Sequence, residues 1–200
     1  LNVLNIKSIS NYLKKIKPKY LIHAAALSRP MKLHESQISK SIDLNIVGTC
    51  NIVNVCSQLN IKLIYFSTGY VYEGKTGNYN EEDPVLPVNN YAWSKLGGEC
   101  AVKLYSNSLI LRITMCEKPF MHDGAFYDIK TNFIFHDEVV KIIPKILNKK
   151  GVLNVGGKIQ TVYNFAKKTN KNIKKISGKK LFPPNPSMNI NKLKKIIKDL

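Results

Sequence analysis

Residues 62–67 decide the fold: they read Lys62-Leu63-Ile64-Tyr65-Phe66-Ser67. The run is short and nearly all apolar, which is typical of a strand buried on both faces of a parallel sheet. Residues 20–22 and 109–113 form similar runs. Helical patterns are found near residues 9–16, 36–59 and 91–105, one before each strand. The alternation predicts an α/β fold with a doubly wound parallel sheet and crossover helices on both faces.

Small and hydroxyl-bearing side chains follow the predicted strands. Ala24-Ala25-Ala26 come after the first strand, Ser67-Thr68 after the second and Thr114-Met115 after the third. Nucleotide ligands of such sheets bind beyond the carboxyl ends of the strands. Residues 69–90 are rich in Gly, Asn, Glu and Pro, and this loop is long enough to favour a functional role. The sequence therefore predicts a ligand site at this edge of the sheet.

The pattern loosens after Cys116. Residues 119–132 are irregular, whereas a helix is predicted over 136–147 and a strand over 152–155. The chain closes with an amphipathic segment at 190–200.

The net charge is +18, from 31 Lys and Arg against 13 Asp and Glu. The lysines of residues 141–198 are dispersed among Asn and Ile, and they form neither a basic stripe interleaved with aromatic residues nor a helix-turn-helix pattern. We interpret them as a solvated surface and expect no nucleic-acid partner. No run approaches the roughly 18 apolar residues of a membrane span, and the start lacks the features of a signal peptide. We therefore expect a cytoplasmic protein without a membrane partner.

Neither a metal site nor a disulfide framework is expected. The four cysteines form no Cys-x-x-Cys pair, and the four histidines lack metal-ligand spacing. We interpret His23 as a strand-end residue and His34 as a loop residue.

The sharpest local signal is Tyr91-Ala92-Trp93-Ser94-Lys95. A spacing of four on a helix places the phenol and the ammonium on one face. The chain holds a second copy of this spacing at 163–167. Only the first copy follows a buried strand that ends in Ser67-Thr68 and can present a hydroxyl at the sheet edge. We interpret the second copy as ordinary packing plus a solvated lysine.

Four motifs in a fixed order carry a family resemblance. They are His23-Ala24-Ala25-Ala26, Asn45-Ile46-Val47-Gly48-Thr49, Ser67-Thr68-Gly69-Tyr70-Val71-Tyr72-Glu73-Gly74 and Tyr91-Ala92-Trp93-Ser94-Lys95. Together they resemble the extended short-chain dehydrogenases/reductases, the NAD-dependent epimerase/dehydratase superfamily, and most of all the dTDP-4-dehydrorhamnose reductase branch. Residues 133–139 and 151–157 resemble later segments of that branch. The resemblance implies a Rossmann-like sheet, NADPH or NADH as cofactor and a nucleotide-sugar substrate, and it allows a homodimer.

The resemblance implies a catalytic set of Thr68, Tyr91 and Lys95. Reduction of a ketone by hydride leaves an alkoxide that needs a proton, and Tyr91 would supply it as general acid. A free phenol has a pKa of about 10, which the Lys95 ammonium would lower. Lys95 would also bind the nicotinamide ribose, and Thr68 would hold the carbonyl oxygen through its hydroxyl.

The implied cofactor-binding residues lie at the same edge. They are Ala24, Ala25, Ala26, Asn45, Ser67 and Lys95. The alanines lack bulk, so their backbone can approach the cofactor, and Asn45 would support the active-site backbone. Two alternatives stay open: Thr68 can simply end its strand, and Asn45 can be an incidental polar residue of its helix. Residues 81–83, an acidic trio, are interpreted as a solvated loop.

Three features depart from the family. Its members open with a strand, a glycine-rich turn and a helix whose N-terminus binds the cofactor pyrophosphate. Since no glycine near Leu1 falls in such a turn, we expect an N-terminally truncated sheet, with roughly 40 further residues, about one βαβ opening, upstream in the parent gene. Gly69 replaces the family's Asp, and the stretch between Arg112 and Phe133 is short.

These observations predict two domains. Residues 1–118 would form the Rossmann-like NAD(P)-binding domain without its first βαβ element. Residues 119–200 would form a small substrate-binding lobe, of which 132–150 packs back on the first domain.

The predicted activity is NAD(P)H-dependent reduction of a nucleotide-linked 4-keto-6-deoxy sugar. Two alternatives remain: an epimerase of the same superfamily, and a non-catalytic NADP-binding regulatory subunit, because a relative of this branch is a regulatory partner of methionine adenosyltransferase. A 4,6-dehydratase is disfavoured, since Gly69-Tyr70 stand where those enzymes carry an Asp-Glu pair.

Overall fold

The computed structural model describes residues 1–179 and 181–198. The strands are β1 (Tyr20–His23), β2 (Lys62–Phe66), β3 (Ser108–Ile113), β4 (Met115–Cys116), β5 (Gly124–Phe126), β6 (Lys130–Thr131), β7 (Ile134–Phe135), β8 (Gly151–Val155), β9 (Gln160–Thr161) and β10 (Lys174–Ile176). The helices are α1 (Ile6–Ile16), α2 (Leu33–Ser36), α3 (Ile38–Ile42), α4 (Gly48–Gln58), α5 (Asn90–Lys103), α6 (His136–Ile146), α7 (Val162–Ala166) and α8 (Asn191–Lys198).

The central sheet has the strand order β1-β2-β3-β8. β2 pairs in parallel with β1, where Tyr20 lies opposite Lys62, and with β3, where Leu63 lies opposite Ser108. All six residues of β3 are buried, as expected for a strand covered on both faces. The three predicted strands and their parallel arrangement are confirmed.

Helix α1 forms where the sequence predicts it. The Asn5 side chain caps the N-terminus by accepting from the Ser8 amide at 2.9 Å. Ile9 and Leu13, four residues apart, are its buried residues. Lys17 ends the helix in a left-handed conformation with φ of 45°, and Pro18 cannot continue it.

The predicted helix over 36–59 is interrupted. It consists of α3, a π-helical turn at Asp43–Val47 and α4. A π turn inserts one extra residue and rotates the following side chains, a feature that is frequent at functional sites. The apolar periodicity continues through this turn, so the sequence pattern did not reveal it.

The described residues divide into two compact units. The first comprises Leu1–Ser67, Asn89–Leu111 and Lys149–Val152, and the second comprises Thr68–Val88, Arg112–Asn148 and the chain from Leu153 onward. The first core packs Ile9, Val55, Leu63 and Ile110 together, and burial of such side chains is the main stabilising term. The functional division at residues 118 and 119 stays a prediction.

The second unit has its own aromatic core. The rings of Phe135 and Phe165 lie 4.5 Å apart between centroids, a favourable separation for an aromatic pair. The segment predicted as irregular, 119–132, contains β5 and β6, which the sequence did not predict because each has only two or three residues. Of the amphipathic segment 190–200, residues 191–198 form α8, and residues 199 and 200 lie outside the described part of the chain.

Candidate active site at the strand ends

Helix α5 carries both Tyr91 and Lys95. It begins where the Asn89 side chain accepts from the Ala92 amide at 2.9 Å, so Tyr91 lies in the first turn and Lys95 one turn later. Tyr91 is half-buried, whereas Lys95 is only 3% exposed. A buried lysine is rare unless its charge has a specific function or a specific environment.

The Lys95 ammonium lies over an aromatic ring. Its Nζ atom is 4.2 Å from the centroid of the Tyr65 ring, which attracts a cation through the negative face of its π system. The Tyr65 hydroxyl in turn donates to the Lys95 carbonyl at 3.0 Å. Tyr65 therefore holds Lys95 through both its ring and its hydroxyl.

Burial weakens the affinity of the Lys95 side chain for its proton. Desolvation lowers its pKa from 10.5 to about 7, while the negative charge of Glu99 raises it. Near neutral pH both protonation states of Lys95 are therefore populated. A group in this range is a candidate for proton chemistry.

Ser67 contacts the carboxylate of Glu99, which was not among the predicted site residues. At the carboxyl end of β2, its Oγ atom donates to Oε2 of Glu99 at 2.7 Å. Both residues are buried, with Ser67 4% and Glu99 2% exposed. Glu99 follows Lys95 by four residues on α5, and that spacing was the signal that could have identified it. The contact of Ser67 with a cofactor stays a prediction.

Asn45 bridges two segments of the first unit. It lies in the π-helical turn with no exposed surface. Its Oδ1 atom accepts from the Leu27 amide at 2.7 Å, and its Nδ2 atom donates to the Leu27 carbonyl at 2.9 Å and to Ser94 Oγ at 2.8 Å. Ser94 Oγ donates to the Tyr91 carbonyl at 2.7 Å. Asn45 thus connects the segment after β1 to the turn that carries Tyr91.

His23 contacts helix α4 as a neutral imidazole. The Thr49 hydroxyl donates to the Asn45 carbonyl at 2.8 Å, so its contact of 3.0 Å with His23 Nε2 requires Nε2 to be the donor. Burial, and next the charge of Lys95, lowers the pKa of His23 to about 4. Its place at the end of β1 agrees with the sequence interpretation.

His34 is not the loop residue that the sequence suggested. It lies in α2, is 1% exposed, and its Nδ1 atom is 2.7 Å from Ser41 Oγ. Its ring contacts the Tyr91 ring edge-on, with centroids 5.2 Å apart. In the described part of the chain, His34 Nε2 has no hydrogen-bond partner. The short four-residue helix gives no periodic signal, which is why the burial of His34 was not predicted.

The three alanines after β1 follow the carboxyl end of this strand, where the ligand site was predicted. Ala24 and Ala25 are exposed and Ala26 is half-buried, in backbone without regular structure. Their methyl groups leave the main chain accessible, as close approach of a flat ligand requires. These residues are compatible with a dinucleotide cofactor, and their contact with it stays a prediction.

Thr68, the residue after Ser67, opens the second unit. Its Oγ1 atom accepts from the Tyr70 amide at 3.3 Å and caps a short 3-10 turn at Gly69–Val71. A side chain at Gly69 would collide, because a Cβ atom there would lie 2.9 Å from Thr114 Cγ2 and 3.0 Å from Met188 Sδ. Within this unit, local packing accounts for Gly69 where the family has Asp.

The acidic trio is not wholly solvated, as the sequence suggested. Glu81 is 8% exposed, and its Oε1 atom accepts from the Asn154 amide at 3.0 Å. Arg112 Nη1 donates to the Glu81 carbonyl at 3.0 Å and to the Tyr72 hydroxyl at 2.8 Å. Glu82 is exposed as expected. These bonds fix the loop that follows Val71 within the second unit.

The second Tyr-x-x-x-Lys copy lies on and just after α7. Tyr163 is half-buried and Lys167 is exposed, with its Nζ atom 5.8 Å from the Tyr163 centroid. Lys167 is thus a solvated lysine, as predicted.

Among the residues described, no helix has the length and apolarity to cross a membrane. Over 1–179 and 181–198, no three His, Cys, Asp or Glu side chains gather in a way that would hold a metal ion. Cys50, Cys56, Cys100 and Cys116 are not joined by disulfide bonds.

A parallel strand order with crossover helices, and a Tyr–Lys pair on the helix after the central strand, define a Rossmann-like protein of the short-chain dehydrogenase type. The chain belongs to the family described as the RmlD substrate binding domain, whose model matches residues 1–117.

Relatives of two kinds match the chain in sequence. Methionine adenosyltransferase 2 subunit beta of Xenopus laevis is 36% identical over 102 residues, which are 51% of this chain and 30% of that protein. The dTDP-4-dehydrorhamnose reductase of Aggregatibacter actinomycetemcomitans is 30% identical over 114 residues, 56% of this chain and 38% of that protein. The matched part therefore spans only about a third of each relative's length.

The fold is shared with solved reductases. The crystal structure of dTDP-4-dehydrorhamnose reductase from Bacillus anthracis, in complex with NADP, superposes with a TM-score of 0.86. The superposition covers 98% of this chain and 79% of the other at 22% identity. The predicted Rossmann-like fold is confirmed.

Proposed function

We propose that the protein is an NAD(P)H-dependent reductase of a nucleotide-linked 4-keto-6-deoxy sugar. The observation that carries the proposal is Lys95, a buried ammonium that lies one helical turn from Tyr91 and is fixed over the Tyr65 ring. A protein that only binds a partner has no need to bury this charge, because burial of an ammonium is costly.

In this proposal the side chains of the protein donate the proton and adjust the acidity of its donor. The cofactor supplies the hydride when it is bound. Tyr91 donates a proton to the alkoxide oxygen that forms. The Lys95 ammonium favours the phenolate and so lowers the barrier to that donation. Thr68 keeps the role that the resemblance gives it, hydrogen bonding to the carbonyl oxygen of the substrate.

Ala24, Ala25, Ala26, Asn45, Ser67 and Lys95 are the proposed cofactor-binding residues. The solved relative in complex with NADP supports the choice of cofactor. The proposed substrate rests on the name of the matched bacterial reductase.

A regulatory subunit is the second candidate, because the matched Xenopus protein is a methionine adenosyltransferase subunit. The two functions make opposite demands on Tyr91. A reductase needs its hydroxyl, whereas a subunit that acts through a surface does not.

The test uses the protein as its gene encodes it. The purified protein is mixed with NADPH and a dTDP-4-keto-6-deoxy sugar, and the loss of NADPH absorbance and the reduced sugar are measured. We expect substrate-dependent oxidation of NADPH with one reduced sugar per cofactor. Absence of turnover, together with a change in the activity of added methionine adenosyltransferase, would favour the regulatory function.

A further inference from the structure

The first unit buries two opposite charges on one helix. Lys95 and Glu99 lie one turn apart on α5, and their exposed fractions are 3% and 2%. Side chains with this spacing face the same side of a helix. A carboxylate buried to this degree is rare unless it is paired.

The Glu99 carboxylate is fixed from outside its own helix. Ser67 Oγ, at the end of β2, donates to Oε2 at 2.7 Å. This distance is typical of a hydroxyl bound to an ionised carboxylate, which is stronger than a neutral hydrogen bond. The bond therefore orients the Glu99 carboxylate.

Several titratable groups face Lys95 from the elements packed around it. His23 approaches from β1, Tyr65 from β2, and Tyr91 and Glu99 belong to α5 itself. His23 is neutral above its lowered pKa of about 4. Burial, then the charge of Glu99, raises the pKa of Tyr65, which therefore also stays neutral. Among the residues described, Glu99 is the group whose charge raises the pKa of Lys95.

We propose that Glu99 is a positioning residue of the reductase site, which favours the ammonium form of Lys95 and is itself held by Ser67. The inference rests on the proposed function, because a charged Lys95 is what activates Tyr91. Glu99 acts through Lys95 and not on the reacting atoms themselves.

The direct test measures the titration of Lys95 in the protein labelled with ¹³C at the lysine Cε atoms. The Lys95 signal is assigned by its loss in Lys95→Arg. In Glu99→Gln we expect the midpoint of this titration to fall by about one pH unit or more, because desolvation then acts without its opposing charge. The high-pH limb of the kcat profile should move down with it.

Lys62 is an internal control. It is also buried, its Nζ atom donates to the Lys149 carbonyl at 2.6 Å, and burial lowers its pKa to about 8. It begins β2, at the end opposite Ser67, so its titration should not change in Glu99→Gln. Glu138→Gln, in the capping residue of α6, is the control for loss of a helical carboxylate.

An unchanged Lys95 titration in Glu99→Gln would overturn the proposal, as would an equal shift of Lys62. Glu99→Asp retains the charge, and we expect its Lys95 titration to lie nearer to wild type than that of Glu99→Gln. If Glu99→Gln does not fold, Ser67→Ala replaces it, with a downward shift expected and no shift counting against the proposal. Because the titration needs no turnover, a shifted Lys95 in a protein without reductase activity would refute the proposed function and leave the electrostatic role of Glu99 supported.

Discussion

Asn45 Nδ2 donates to the Ser94 hydroxyl at 2.8 Å. The same amide group makes two further hydrogen bonds to the backbone of Leu27. The Asn45 side chain thus hydrogen-bonds both to the segment after β1 and to Ser94 of α5. Because Asn45 makes all three bonds from a position with no exposed surface, the cost of losing Asn45 should exceed that of an ordinary hydrogen bond.

Asn45→Ala should lower the free energy of unfolding by about 3 kcal/mol, because it leaves the amide and the carbonyl of Leu27 unpaired. Asn51→Ala is the control. Asn51 Nδ2 donates to the Val3 carbonyl at 3.0 Å in a half-buried place, and we expect a loss of about 1 kcal/mol. Urea unfolding of both variants measures the difference. Equal losses would show that Asn45 has no bridging role.

Gly98→Ala should destabilise the protein although alanine is the better helix former by about 1 kcal/mol. A Cβ atom at Gly98 would lie 2.6 Å from both the Asn45 carbonyl oxygen and the Tyr65 hydroxyl. A backbone oxygen cannot move aside, so we expect a net loss of about 2 kcal/mol.

Gly97→Ala is its neighbouring control. There the Cβ atom would meet Cδ1 of Ile46 at 2.7 Å, the end of a flexible side chain. We expect the free energy of unfolding of Gly97→Ala to lie within about 1 kcal/mol of the wild-type value. Thermal unfolding of both glycine variants measures the difference. A Gly97→Ala loss as large as that of Gly98→Ala would contradict the close packing of α5 on the π-helical turn.

His23 should make stability depend on pH between 6.5 and 4. Its pKa is 6.5 when unfolded and about 4 in the folded protein, so the unfolded state takes up the proton first as the pH falls. The stability contributed by neutral His23 is therefore complete above pH 6.5 and is lost towards pH 4, by about 3 kcal/mol in total.

Urea unfolding at several pH values tests this dependence. In His23→Gln, whose amide can still donate to Thr49, the decline between pH 6.5 and 4 should be smaller than in wild type. His122→Gln, at an exposed position, should retain the wild-type decline. An identical pH dependence in His23→Gln and wild type would be inconsistent with a buried neutral His23.

The central sheet was predictable because each strand is a short apolar run between helical patterns. The spacing of apolar residues indicates which side of a single helix or strand is buried. It predicted the ends of β2 and α5 to within one or two residues. The Tyr91 and Lys95 pair was found in the same way, since both lie on one helix.

Features that depend on distant partners were not predictable. The buried amide that binds the Glu81 carboxylate belongs to Asn154, 73 residues away. The burial of His34 depends on Ser41 and on Tyr91, which lie on other elements. An acidic loop and a lone histidine have no local signal for such contacts, so the sequence interpretation was wrong for His34 and, within the acidic trio, for Glu81.

The two Tyr-x-x-x-Lys copies allow the most direct test of the proposed catalytic site. In the protein as its gene encodes it, kcat for reduction of a keto-sugar nucleotide is measured for Tyr91→Phe and for Tyr163→Phe, together with KM and cofactor binding. Loss of a positioned general acid should lower kcat in Tyr91→Phe by roughly 100- to 10,000-fold with little change in binding. Tyr163 lies on α7 beside the solvated Lys167, and its substitution should leave turnover nearly unchanged. Equal losses in the two variants, or full activity in Tyr91→Phe, would contradict the assignment of Tyr91 as the proton donor.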